Sequence, residues 1–192
     1  MVGAVDDLIG TQVPERRLTD PHEAVRALER VVPGLLGYRR AVPAVIDWRV
    51  LQARQGAALP ADFRLLAELY PAFELGDFLR AGLPRPGMED RWSDEDLLET
   101  LAEWCEDADL AVPLHPFSAP GGLLPWATSN QGDFFLWSTH GQTPEDWSVT
   151  VASRSGGWWH YTGGAVQFLA KLVGGAVDAW GLPPVRPTLS GG

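Results

Sequence analysis

Apolar positions along this chain fall on two periods. In residues 20–70 and 93–108 they recur every three or four places, as on one face of a helix. In residues 123–161 they come as short runs and alternations, as in strands. The first helical stripe is Ala24, Val25, Leu28, Val31 and Val32. Asp20-Pro21-His22-Glu23 opens it: Asp20 is the N-cap, Pro21 suits the first helical position and Glu23 completes a capping box. Pro33-Gly34 stops it. A second helix is predicted over residues 45–54, with Ile46, Val50 and Leu51 inward and Gly56 at its end. Leu59-Pro60-Ala61-Asp62 starts a third. Phe63, Leu66, Leu69 and Tyr70 share its inner face, and Pro71 stops it. Residues 73–79 read as a short extended piece. Residues 1–18 carry no period and read as a loop or a loosely docked arm.

The fourth helix opens at Ser93, with Asp96 as capping partner. Leu97, Leu98, Leu101, Trp104, Cys105 and Ala108 form its apolar stripe, and acids fill the other side. After a Pro/Gly-rich connection, strands are predicted near 123–127, 134–138, 148–153 and 158–161. Their turns fall at 129–132, 141–146 and 155–157. Asn130 to Asp133 supplies turn chemistry, because Gly and Asn tolerate positive φ. Val149 and Val151 alternate with Ser148, Thr150 and Ala152, as in a sheet buried on one side. A closing helix is predicted over 164–173, with Thr162 as its cap. Residues 181–192 are Pro/Gly-rich and read as a flexible tail. The expected fold is α+β: an antiparallel meander of about four to six strands with helices packed on one face. Residues 1–45 form an N-terminal helical extension and 46–180 the main domain.

Charge sharpens this picture. The net charge is −10, and the bases are fourteen Arg and one Lys. Ten acids lie between Glu89 and Asp109, with Arg91 the only base among them, so that segment holds −9 of the total. Direct nucleic-acid binding is disfavoured, since phosphates demand cations, and a basic protein partner is favoured. The acidic row Asp94, Glu95, Glu99, Glu103 and Glu106 reads either as a solvated face or as a mimic of a phosphate track. The single cysteine excludes an internal disulfide, no apolar run is long enough to span a bilayer, and residues 1–10 lack a basic leader. A cytoplasmic protein is expected.

Candidate chemistry is sparse. Asp133 has no second carboxylate or histidine at ligand spacing, so its reading is turn capping rather than a metal site. Cys105, on an apolar helix face, reads as a buried inert thiol. His22, His115, His140 and His160 are scattered, and no nucleophile elbow, Walker loop or dinucleotide fingerprint appears. No cofactor, metal or catalytic residue is expected. Five of the nine tryptophans crowd residues 126–159. Trp158 and Trp159 must face opposite sides of their strand, so one is a core residue and the other a possible interface anchor.

One order of motifs is similar to a known family. Asp47-Trp48 precedes Leu59-Pro60-Ala61-Asp62-Phe63 and Tyr70. Leu124-Pro125-Trp126-Ala127, Asn130-Gln131-Gly132-Asp133, Trp137, Trp147 and Phe168-Leu169 follow. This resembles the SUKH superfamily, which contains fungal cell-wall assembly regulators and bacterial toxin-immunity proteins; the likeness covers about residues 46–173. Pro71 stands where members often have glycine. The resemblance implies an α+β fold without catalysis or cofactor and a face that binds proteins. Leu59, Pro60, Pro125, Trp126, Gly132, Asp133 and Trp147 would be its structural motif residues. The reading that joins this to the charge pattern is an immunity protein that occludes a basic toxin domain, such as a nuclease; the segregated charge and the tryptophan pair put Asp94, Glu95, Glu99, Glu103, Glu106, Trp158 and Trp159 at the interface. The alternative within the same fold is a regulatory scaffold or assembly adaptor.

Overall fold

The computed structural model describes residues 9–92, 95–108, 114–155 and 157–191. Its elements in chain order are β1 (Thr11–Gln12), α1 (Pro21–Val31), α2 (Trp48–Gln55), α3 (Ala61–Leu69), β2 (Phe73–Leu75), β3 (Leu79–Ala81), α4 (Glu95–Asp107), β4 (Leu123–Ser129), β5 (Phe134–Ser138), β6 (Ser148–Ala152), β7 (Trp158–Tyr161), α5 (Ala165–Val173) and β8 (Leu189–Gly191). The fold is α+β. The strands make one mixed sheet in the order β1-β7-β6-β5-β4-β3-β2-β8. Its centre, β2 to β7, is an antiparallel meander. The expectation of four to six antiparallel strands falls short at both borders. β1 runs parallel to β7, pairing Thr11 with His160, and β8 runs antiparallel to β2, pairing Leu189 with Leu75.

Local chemistry explains where the helices start and stop. The Asp20 carboxylate accepts from His22 N–H at 2.9 Å, and Pro21 follows it at the first helical position. The expected capping box is absent, because Glu23 turns instead to the Arg16 guanidinium. Asp47 caps α2 by accepting from Arg49 and Val50, and Gly56 closes it at φ 84, a left-handed position that glycine occupies without strain. Val50 does not face inward; it is exposed, and Leu51 and Gln55 are the buried residues of α2. Gly164, not Thr162, precedes α5, and the carboxylate that reaches its first turn is Asp62 of α3, 3.3 Å from Val166 N–H. Asp62 also accepts from Phe63 N–H, so one enclosed carboxyl serves two helix starts; desolvation raises its pKa.

Both faces of the sheet are covered. On one, α1, α3 and α5 pack over Leu124, Trp126, Phe135, Trp137, Val149, Val151, Trp159 and Tyr161. Phe63 meets Trp137 edge-on at 4.8 Å between ring centres, and Phe168 sits against Trp126, Phe135, Trp159 and Tyr161. On the other face, α4 lays Leu101 and Trp104 over Leu123, Phe134, Leu136 and Ala152, with Trp104 edge-on to Phe134 at 5.0 Å. Helices on a single face is therefore a misreading. Its cause is β6, where Thr150 and Ala152 are as fully buried as the valines between them, which apolar alternation does not reveal.

The first residues described are tied down firmly. The Gln12 amide exchanges two hydrogen bonds of 2.8 Å with the backbone of Asp178, and Arg17 donates to the carbonyls of Glu145, Trp147 and Thr162. Buried Gln167 of α5 accepts from Leu18 N–H and donates to Arg16 O. At the other end, in the stretch expected to be a flexible tail, Val185 is buried and β8 extends the sheet. Among the described residues, no helix is long and apolar enough to cross a membrane.

Candidate functional site

A cavity of about 360 Å³ lies on the α4 side of the sheet at β3 and β4. Leu79 and Ala81 point into the main core, so Arg80 between them emerges on the opposite face, beside its cross-strand partner Thr128. β3 then runs into a Pro/Gly-rich loop, residues 82–92. Two side-chain hydrogen bonds help to hold that loop. The Trp92 indole N–H donates to Gly82 O at 2.6 Å, and the buried Glu89 carboxylate accepts from Asp47 N–H at 3.0 Å. Backbone N–H groups, that of Asp47 first, hold Glu89 below the usual carboxylate range. The loop thus carries Arg85, Met88 and Arg91 over the sheet, and the start of α4 adds Leu97 and Leu98. The floor is Pro125, where β4 bulges between Pro125 and Ala127, a break suited to a residue with no N–H to give the ladder.

The electrostatics of this cavity oppose those of the whole chain. Its charged lining residues are Arg80, Arg85 and Arg91; no described carboxylate lines it. The ion pairs among the described residues are Arg16–Glu23, Arg26–Asp20, Arg39–Glu29 and Arg54–Glu95, and none uses these three guanidinium groups. Among the described residues no His, Lys, Cys or Tyr lines it either. The arrangement can hold an anion against apolar surface.

The acidic row predicted from sequence lies outside this cavity, along the solvent side of α4. Glu95, Glu99, Glu103 and Glu106 are all exposed, and among the described residues Glu95 is the one of them in an ion pair, to Arg54. Asp94 and the Ser93 cap lie outside the described residues. Glu89, which belongs to the same acidic segment, is buried in the loop instead. Of the tryptophan pair, Trp159 is fully buried with its N–H on Trp180 O at 2.9 Å, so it offers a partner no surface. Trp158 is half-buried, on the same face as α4 and part of the cluster around Leu101.

The remaining motif residues build structure. Leu59 and Pro60 are buried at the start of α3, Trp126 and Trp147 lie in the main core, and Gly132 takes φ 88 in the β4–β5 turn. That turn is laced to its neighbours. Asn130 donates its backbone N–H to Phe78 O and its side-chain amide to Asp77 O, in the β2–β3 turn. Asp133 accepts from the Ser129 hydroxyl and from Arg154 N–H at 2.9 Å, in the β6–β7 turn. Asp133 therefore acts as a turn carboxylate whose reach extends one hairpin further than expected. Cys105 is only half-buried, yet burial pushes its thiol up to about 11, far from the thiolate a nucleophile needs. Among the described residues no group of three or more His, Cys, Asp or Glu could hold a metal ion.

Sequence reasoning missed the arginine cavity. The available signal was three arginines within residues 80–91 of a strongly acidic chain, in a stretch broken by Pro and Gly. No family model, curated protein or solved structure matches the chain.

Proposed function

We propose that this chain is a non-enzymatic, cytoplasmic protein-binding module that docks a basic partner on the outer face of α4, and that it serves as an immunity protein of SUKH type. The reading is carried by the row Glu95, Glu99, Glu103 and Glu106, exposed at successive turns of one helix. Their spacing keeps them on one stripe, roughly 17 Å long at 1.5 Å per residue. Leu101 and Trp104 pin the opposite face of α4 to the sheet, so the stripe is preformed rather than assembled on binding. Trp158, half-buried against the Leu101 cluster beneath α4, would supply an aromatic anchor. Negative potential would speed encounter with the cationic active site of a nuclease or a related toxin domain, and the aromatic contact would lengthen residence.

The test is kinetic. The protein encoded beside this one is the first partner to try, by co-purification and then by surface plasmon resonance at low salt. Replacing Glu95, Glu99, Glu103 and Glu106 with Lys is expected to cut the association rate by about 10- to 100-fold. An unchanged rate would remove the acidic face from the mechanism. A partner that binds but is harmless when produced alone would replace immunity with a scaffold role.

A further inference from the structure

The cavity beneath loop 82–92 has no part in that docking surface, and its chemistry is opposite. We propose that it is a binding site for a small organic anion: a carboxylate, sulfonate or phosphate ester on a flat apolar body. Three observations converge on this class. The first is charge. Arg80, Arg85 and Arg91 line one cavity, and among the described residues none of them is ion-paired although an acid-rich helix begins beside them. Guanidinium groups left free in this way offer planar forks of N–H donors that match carboxylate and phosphate oxygens.

The second is the apolar remainder. Trp92, Leu97, Leu98 and Pro125 supply surface for a hydrocarbon or aromatic body, which bare inorganic anions lack. The third is size and rigidity. A volume of about 360 Å³ sits at the lower end of the roughly 300–1,000 Å³ range of small-molecule sites. The loop over it is fastened at Trp92 and at Glu89, so the site exists before a ligand arrives.

The experiment uses the full chain and two dyes, 8-anilinonaphthalene-1-sulfonate and its uncharged counterpart N-phenyl-1-naphthylamine. Dye fluorescence gives affinity and calorimetry gives stoichiometry. The sulfonate is expected to bind one per chain, saturably and in the micromolar range, and the neutral dye at least tenfold more weakly. Arg80→Gln and Arg91→Gln are each expected to weaken the sulfonate about tenfold, the loss of one charge-assisted contact. The double variant should abolish saturable binding while leaving the neutral dye as before. Both arginines are exposed, so the variants should keep the parent's circular dichroism and Tm, which are measured alongside. Three results would overturn the proposal: no saturable sulfonate binding, binding unchanged in the folded double variant, or equal affinity for the two dyes. A solvated arginine cluster with no ligand predicts the first of these.

Discussion

His160 is enclosed on β7, with Nδ1 2.7 Å from the Thr150 hydroxyl. Burial pushes the imidazole down to about 4. In the unfolded chain it titrates near 6.5, so between those values the unfolded state takes a proton that the native state refuses. Its contribution is whole above about pH 6.5 and is lost as the pH falls towards 4, by about 3 kcal/mol. Urea unfolding at pH 7, 5.5 and 4.5 should show that decline, and His160→Gln should flatten it. Equal declines in the two proteins would mean that other groups dominate. None of this was legible in the chain, where His160 is one of four scattered histidines. Asp133 was legible in part. Its place after Asn130 and Gly132 marks a turn, but its bond to Arg154 N–H joins residues 21 positions apart, and no local pattern encodes that distance.

At the scale of the element, α4 is the least supported large piece. Of its residues only Leu101 is fully buried, and the cluster it joins is far smaller than the main core. Leu101→Ala should cost about 2–5 kcal/mol, read as a lower urea midpoint. Amide exchange should show α4 opening before β4 to β7 in the parent protein. Parent protection as strong in α4 as in β5 would contradict that ranking. Strands β4 to β7 and the five helices announce themselves because each is long enough for a period to repeat, whereas residues 73–79, expected as one extended piece, divide into β2, a turn and the start of β3. β1 has two residues and β8 three, too few for any alternation, and each is set by pairing with residues distant in sequence. The second covered face was hidden for another reason. Burial of Thr150 and Ala152 leaves the polar-looking half of β6 unchanged in composition, so a two-sided strand reads as a one-sided one.

Over the whole molecule, charge is sorted rather than spread: an acidic stripe faces outward on α4, and an arginine cluster lines the cavity beside its first turn. A net charge of −10 conceals the second entirely. The sheet shows a comparable economy at its borders, which short strands close. Removing residues 187–192 should strip β2 of its neighbour, lower the Tm by at least ~3 °C and raise light scattering on heating. A truncated chain with the parent's Tm and scattering would show β8 to be dispensable.

β1 and β8 come from opposite ends of the described residues, yet they flank a single sheet. During translation, β7 can recruit its outer neighbour as soon as it emerges, whereas β2 must wait for more than a hundred further residues. Through that interval the nascent polypeptide displays an unsatisfied ladder at β2, a natural landing place for a ribosome-associated chaperone. Production yield should therefore respond to elongation speed late in the message.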